Sequence, residues 1–341
     1  MGLFGSSEIT GIDIGAGGIK AVRIKPGTKP KLIAAAIVEF SPDAAAGESV
    51  GADLRYLLSE KKIGSKNVIT QVPGKDLTIR SLTLPKMPLS ELREAVKWEA
   101  KRHISYSLDA ALVEYLITGE KKEGAVDKYD LVMVAADESK VREHLLPFDD
   151  ARIKITAVDA NALALRNILF YRSEDIVMDT LAVDIGAGKT EIDIFKGGIL
   201  RFSRCLETGG ADMTRLVAED LNISIPDAEA FKRNVDVMTP PEKNKSVALI
   251  VGKLDALLME IRRSVEYYRT TSREKAMDRV VLTGGATLMK GLPEYFSQSL
   301  GLPVELCDPF GVLKYKDAIG AEFGPLTPYF SAAVGLALRK M

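Results

Sequence analysis

Two stretches, GIDIGAGGIKAVRI at 11–24 and LAVDIGAGKTEIDIF at 181–195, share the pentapeptide Asp-Ile-Gly-Ala-Gly, which begins at Asp13 in the first and at Asp184 in the second. Each reads as an apolar run ending in an acid, closely spaced glycines, and a second β-rich run, the pattern of a β-hairpin. The offset of 171 residues is half of this 341-residue chain. The sequence therefore predicts two structurally related halves whose hairpins face each other across a cleft.

The turn composition has a chemical reading. Backbone N–H groups in a tight turn converge into an anion-binding nest, and glycine is needed where φ is positive or where a phosphate must touch the main chain. Two nests can grip a polyphosphate from both sides. Asp13 and Asp184, at the ends of the preceding strands, would hold Mg²⁺ directly or through its waters, because that ion takes oxygen ligands and keeps part of its hydration. The expectation is a Mg-nucleotide site.

The bulk numbers narrow the alternatives. A chain of 341 residues with 46% hydrophobic content can bury ample core and is too long for one domain of ordinary size. Lys and Arg total 46 against 47 for Asp and Glu, so no global field would recruit nucleic acid or an acidic membrane. The two cysteines, Cys205 and Cys307, lie far apart and read as reduced core residues; His103 and His144 read as exposed or hydrogen-bonded helix residues, outside any zinc or triad pattern. No apolar stretch approaches the roughly 20 residues that span a bilayer, and no signal peptide is recognisable. The opening MGLFGS fits the short N-myristoylation pattern, which has many chance matches, and Leu3 and Phe4 offer an apolar start for weak contact with a membrane or partner.

Along the chain, KLIAAAIVEF predicts a third strand, and GADLRYLLSEKK a helix with Leu54, Leu57 and Leu58 on one face. NVITQVPGKDLTIRSLTLP returns to β structure. KMPLSELREAVKWEAKRHI predicts a helix from Pro88 to about Ile104 with Ser90 as N-cap, and Trp98 is expected in a subdomain core. Two strands joined by a charged turn follow at 111–137, then a helix at ESKVREHLLPF. ITAVDANALALRNILF reads as one apolar helix crossing between the halves. After the second hairpin come a glycine turn and helix, a short helix after Pro226, a loop at Pro240 and Pro241, and a long amphipathic helix with Leu254, Leu257, Leu258, Ile261, Val265 and Tyr268 on one face. RVVLTGGATLMKGLPEYF reads as strand, Gly284-Gly285 turn and helix, and a last helix occupies about 329–340.

In order, GIDIGAGGIK, TAVDANALALRN, LAVDIGAGKTEI, VVLTGGATLMKGL and SAAVGLAL resemble the phosphate 1, connect 1, phosphate 2, adenosine and connect 2 motifs of the actin, heat-shock chaperone and sugar kinase superfamily. The length, the opening MGLFG followed by GIDIG, and the run LTLPKMPLSELREAVKWEAKRHI are most similar to the PilM family of type IV pilus assembly, which is related to the division protein FtsA. That resemblance implies an α/β actin-like ATPase fold, two ribonuclease-H-like halves around a nucleotide cleft, with an inserted α+β subdomain of the FtsA 1C (SHS2-like) type. It divides the chain into a first half at 1–79, the insertion at 80–150, a return to the first half with the connecting helix at 151–180, a second half at 181–327, and a C-terminal helix at 328–341 that returns to the first half.

The resemblance also implies roles. Asp13, Gly15, Ala16, Gly17, Gly18 and Lys20 would form the first phosphate site, with Lys20 reaching the β-phosphate; Asp184, Gly186, Ala187, Gly188, Lys189 and Thr190 would form the second. Gly209 and Gly210 would complete it, Glu229 and Lys232 of an AExxK pattern would lie near ribose and base, and Gly284, Gly285 and Ala286 would pack under the adenosine. The ligands implied are ATP or ADP with Mg²⁺. Asp159 holds the catalytic position where relatives place the Glu or Gln that orients the attacking water. The sequence there reads VDANA without the usual Glu-Pro, and Ala16 replaces a Ser or Thr, so slow hydrolysis or none is expected.

For function, the resemblance implies a cytoplasmic scaffold attached to the bacterial inner membrane only indirectly, through the N-terminal cytoplasmic tail of PilN, with no nucleic-acid partner. Other pilus motor or platform proteins, and self-association, are further contacts such a scaffold allows. The alternatives are an FtsA-like filament former at the division site, against which stands a chain that stops at Met341 without FtsA's amphipathic tail, and a small-molecule kinase of the same fold, for which no acceptor motif is evident.

Overall fold

The computed structural model describes residues 8–40, 50–64, 66–172, 177–240, 244–272 and 277–339, so Leu3, Phe4 and Pro241 lie outside the described residues. Strand β1 (Ile9–Gly15) turns back into β2 (Gly18–Lys25), with Asp13 opposite Lys20, and β3 (Lys31–Glu39) continues the antiparallel meander. Helix α1 (Val50–Ser59) then carries the chain to β4 (Val68–Val72), which lies parallel to β1 on its free side.

A separate antiparallel sheet intervenes. It consists of β5 (Leu77–Pro85), β6 (Ala111–Glu123) and β7 (Val126–Asp137) in the order β5-β7-β6, with α2 (Leu89–Ala100) across one face and α3 (Glu138–Asp150) leading out. Leu92, Val96 and Ala100 at a four-residue spacing seal α2 onto Leu131, Met133 and Ala135. Strand β8 (Ile155–Ala160) then joins β4 in parallel and completes the first sheet, β3-β2-β1-β4-β8.

After α4 (Asn161–Leu169) the plan repeats. Strands β9 (Thr180–Ile185), β10 (Thr190–Lys196) and β11 (Ile199–Leu206) form a meander; β12 (Arg279–Thr283) and β13 (Val304–Leu306) add in parallel, giving β11-β10-β9-β12-β13. Both five-stranded sheets are thus a three-strand meander plus two parallel strands, and parallel strands require crossovers. The second sheet's crossovers are α5 (Gly210–Leu221), α6 (Ile225–Asn234), α7 (Lys245–Ser272) and α8 (Leu292–Leu300). Leu254, Leu257, Leu258 and Ile261 of α7 pack with Phe296 of α8 against that sheet. Helix α1 and α3 cover the first sheet's outer face through Leu54, Leu57 and Phe148.

The chain ends with α9 (Asp317–Phe323), a 3-10 stretch at Gly324–Phe330, and α10 (Ser331–Ala337). Leu165 and Ile168 of α4 and Ala333, Val334 and Leu336 of α10 share one core with Val22 and Ile69 of the first sheet and Ala182, Phe195 and Val281 of the second. These two short helices therefore lie between the halves. Two glycines let α10 pack closely: a Cβ on Gly335 would sit 2.0 Å from the Ala164 carbonyl oxygen of α4, and one on Gly11 of β1 would sit 2.0 Å from that of Ala333 in α10.

Several expectations are corrected. Residues 155–160, read as the start of a helix, form β8, because main-chain pairing with β4 captures the segment. Pro88 rather than Ser90 is the N-cap of α2, with no side-chain cap, and the helix ends at Ala100. Trp98 is 62% exposed instead of lying in the subdomain core, since it falls off the Leu92, Val96, Ala100 stripe; Lys101 Nζ covers its ring at 5.7 Å. The Gly284-Gly285 turn runs into a 3-10 segment at Gly285–Leu288, and α8 starts only at Leu292. Cys307 is buried as expected, but Cys205 is only partly so. Among the described residues no helix is long and apolar enough to cross a membrane.

Candidate functional site

The two acid-glycine hairpins meet. A Cβ on Gly17 would lie 3.1 Å from the Ala187 methyl, and one on Gly188 the same distance from that of Ala16, so the turns touch across the pseudo-symmetric seam. In the first, Gly18 has φ +141° and its Cβ position is 2.1 Å from Val38 O, a place only glycine can fill. In the second, Gly186 N donates to Lys189 O at 2.9 Å and closes the turn.

Helix α5 fixes the orientation of that second turn. Gly210 N donates to Gly186 O at 2.9 Å and Ala211 N to Ala187 O at 2.8 Å, while Gly209 packs so tightly on the same carbonyls that a Cβ would lie 2.5 Å from Ala187 O. In a planar trans peptide the carbonyl and the next N–H point opposite ways. The N–H groups of Ala187 and Gly188 therefore face away from α5.

Each acid is held by an amide from a neighbouring element. Gln71 Nε2, on β4, donates to Asp13 Oδ1 at 2.7 Å; Asn161 Nδ2, opening α4, donates to Asp184 Oδ2 at 2.7 Å and to Glu191 Oε2 at 3.1 Å. The carbonyl oxygens Gln71 Oε1 and Asn161 Oδ1 are buried without a protein partner among the described residues. Burial and the nearby Glu191 carboxylate push the Asp184 carboxyl up to about 6. Asp193, two residues beyond Glu191 on β10, is also pushed well above the usual carboxylate range, by burial first and then by Glu191. Lys20 is buried beside the first turn: its Nζ donates to Gly18 O at 3.3 Å and lies 5.8 Å from the centroid of the Tyr329 ring.

The other expected residues divide. Gly210, Glu229, Lys232 and Ala286 come together: the Cβ position of Gly210 is 3.1 Å from both Lys232 Nζ and the Ala286 methyl, and Lys232 donates to Gly210 O at 3.1 Å, Thr214 Oγ1 at 2.9 Å and Glu229 Oε2 at 2.6 Å. Burial lowers the Lys232 pKa. Burial of Glu229 works the other way on its carboxyl, but Lys232 and the hydrogen bonds outweigh it and hold the pKa below the usual value. Gly284, at φ +86°, approaches Asp184 so closely that a Cβ would meet its Oδ1 at 2.4 Å, and Gly285 lies under the Tyr329 ring. Across the mouth of the seam Arg233 bonds Glu39 at 2.9 Å and Glu229 at 3.1 Å.

Two expected residues stand apart. Thr190 is fully buried with its hydroxyl donated to Thr208 O at 2.8 Å, which takes it out of the second turn. Asp159 lies in register with Gln71 on the neighbouring strand, pairs with Arg339 Nε at 3.3 Å and accepts from Ala160 N at 2.9 Å. The side chain that bonds Asp184, two positions later, is Asn161. Asn161, Gln71 and Glu191 were missed by the sequence reading, although Glu191 was detectable: it is the second-copy equivalent of Lys20, opposite Asp184 as Lys20 is opposite Asp13. Among the described residues no three His, Cys, Asp or Glu side chains gather as a direct metal site.

Two like-planned sheets, paired acid-glycine hairpins at their seam and an added antiparallel sheet define an actin-like ATPase fold with an FtsA-type inserted subdomain. The chain belongs to the family described as type IV pilus assembly protein PilM, whose profile matches residues 11–341. It superposes on a chain of a PilM-PilN type IV pilus biogenesis complex with a TM-score of 0.85 and 26% identity over 98% of each chain. The ethanolamine utilization protein EutJ of Carboxydothermus hydrogenoformans gives a TM-score of 0.56 at 15% identity over 97% of this chain and 89% of that one, a likeness of fold. The cell division protein FtsA of Rhizobium meliloti is 26% identical over 275 residues, 70% of this chain; the chain spans 60% of that relative's length.

Proposed function

We propose that this protein is a nucleotide-binding scaffold of type IV pilus assembly, holding Mg-ATP or ADP between its halves and docking the N-terminal cytoplasmic tail of the inner-membrane protein PilN. The observation that carries the reading is the end-to-end likeness to a chain solved in a PilM-PilN complex. The division into two actin-like halves with an insertion between about 80 and 150 is part of it. So is the location: in the cytoplasm, held at the inner membrane by its partner.

The cleft suits a Mg-nucleotide. One oxygen of each acid is occupied by an amide, Asp13 Oδ1 by Gln71 and Asp184 Oδ2 by Asn161, so Asp13 Oδ2 and Asp184 Oδ1 would face a hydrated Mg²⁺. The unpartnered carbonyl oxygens of Gln71 and Asn161 are acceptors for its waters. When bound, the ion neutralises phosphate charge; Lys20 and the turn amides hold the phosphates, and Asn161 keeps Asp184 aimed. Hydrolysis is slow or absent because Asp159, the water-orienting candidate, is paired with Arg339.

A pH dependence follows from Asp184. Its folded-state pKa of about 6 exceeds the ordinary aspartate value of 3.8, so between these limits the folded chain keeps a proton that the unfolded chain has lost. This group therefore favours folding below about pH 4, and that contribution is gone above pH 6. Cation binding needs the carboxylate, so Mg-nucleotide affinity should fall by up to about tenfold per pH unit below 6. Calorimetry at pH 5 and pH 7 checks it, and a flat profile would exclude Asp184 as a ligand.

The partner groove is the cavity of about 310 Å³ between the inserted sheet, α4 and β11, lined by Leu116, Thr118, Val132, Leu163, Arg166 and Leu200. Aliphatic side chains line it beside Thr118 and the Arg166 guanidinium, and the surface they present is about equally polar and apolar. Arg166 Nε donates to Gly198 O at 2.5 Å, and a guanidinium has further N–H groups for peptide carbonyls. This suits a short extended apolar segment. Leu116→Glu, at the half-exposed wall of this cavity, is expected to weaken binding of a PilN N-terminal peptide at least tenfold, about 1.4 kcal/mol, while leaving nucleotide affinity unchanged. If calorimetry shows no binding of that peptide to the unmodified protein, with and without Mg-ATP, the docking role fails.

A further inference from the structure

The two hairpin copies differ in the placement of charge. Asp13 faces Lys20 across its hairpin, whereas Asp184 faces Glu191; the second copy carries its lysine two residues earlier, at Lys189, where the first has Gly18. The Lys189 ammonium is ion-paired with Glu191, and the two side chains are 25% and 4% exposed. Burial works against the ammonium, but Glu191 outweighs it and holds the lysine above its ordinary range.

Glu191, on the second half, is anchored by the first. Its Oε1 accepts from Gly74 N at 3.3 Å, and its Oε2 from the Asn161 amide that also bonds Asp184. A Cβ on Gly74 would lie 2.7 Å from the carboxyl group, so the main chain of the first half is pressed against this acid. Lys189 follows Gly188, which touches Ala16 of the opposite turn. The ammonium is thus a withdrawn, already paired cation beside the seam where the two turns meet.

We propose that Lys189 is the residue by which the cleft distinguishes a nucleoside triphosphate from a diphosphate, its ammonium exchanging Glu191 for the terminal phosphate. The inference rests on the Mg-nucleotide reading above. A partly buried, paired ammonium loses less hydration on swapping one anion for another than a solvated surface lysine does. The exchange leaves the Glu191 carboxylate without its cation, which is costly in a buried setting. The Mg²⁺ carried by the triphosphate, which Asp13 and Asp184 would hold, would offset that charge. The preference for triphosphate should therefore require Mg²⁺. A diphosphate lacks the terminal group and leaves the Lys189–Glu191 pair intact.

The test is calorimetry of ATP, its non-hydrolysable analogue and ADP, with Mg²⁺ and with chelator, on the unmodified protein and on Lys189→Ala, Lys189→Arg and Glu191→Gln. With Mg²⁺ the unmodified protein should prefer triphosphate by about tenfold to a hundredfold, the range for one charge-assisted contact. Lys189→Ala should collapse that preference while ADP still binds, Lys189→Arg should retain part of it, and Glu191→Gln should make triphosphate binding less dependent on Mg²⁺. A Lys189→Ala protein that keeps its preference, or loses both nucleotides equally while melting normally, overturns the inference and leaves the nucleotide site standing. Binding of neither nucleotide by the unmodified protein overturns the nucleotide reading itself.

Discussion

Asp13→Ala and Asp184→Ala are each expected to abolish measurable Mg-ATP binding. Either change removes one of the two carboxylates available to the ion and also orphans the amide that holds it. Without Asp13, Gln71 Nε2 loses its partner at 2.7 Å; without Asp184, Asn161 keeps only the longer bond to Glu191. A buried donor left unpaired costs about 1–3 kcal/mol, and the lost charge adds to that. A fall in affinity of at least about a hundredfold, near 2.7 kcal/mol, is the expected result. Asp159→Ala is the control, because that acid is paired with Arg339 and should leave binding intact. Undiminished affinity in both cleft mutants would falsify the site.

The second large effect concerns folding. Gly335 lies inside α10, where alanine is normally the better helix former by about 1 kcal/mol. Gly335→Ala should nevertheless destabilise the protein by at least about 3 kcal/mol. The new Cβ would sit 2.0 Å from Ala164 O and 2.5 Å from its carbonyl carbon, so α4 and α10 must separate. Those helices share the core that joins the two sheets, and separation would open contacts of Leu165, Phe195 and Val334 together. Denaturant unfolding measures the change. A gain in stability, as propensity alone predicts, would show that the crossing is looser than described.

The hairpins were legible because their signal is local: an acid, spaced glycines and flanking β-rich runs, stated twice. The segment 155–170 was not, since its apolar residues, interrupted by Asp159, Asn161, Arg166 and Asn167, fit a short strand and a helix about equally by periodicity. Only its pairing with β4, decided by distant residues, makes its first six residues β8. Trp98 was readable in principle, because the buried stripe of α2 passes through Leu92, Val96 and Ala100 and misses it. At the site, Asp13, Asp184 and their glycines could be picked from the sequence alone. Gln71 and Asn161 could not, because their approach to the acids depends on which strand and helix the topology sets beside each hairpin. The resemblance pointed to Asp159, and the turn from β8 into α4 presents Asn161 to the acids in its stead.

The contacts that Gly11 and Gly335 make are with main chain, not with side chains. A crowded side chain can be relieved by shortening its neighbour, so an oversized core residue often has second-site suppressors. Here there is nothing to shorten: the obstacles are the carbonyl groups of Ala333 and Ala164, which every residue type carries. A genetic screen for recovery of a Gly335 or Gly11 substitution should therefore return reversion to glycine rather than compensating changes in the surrounding core.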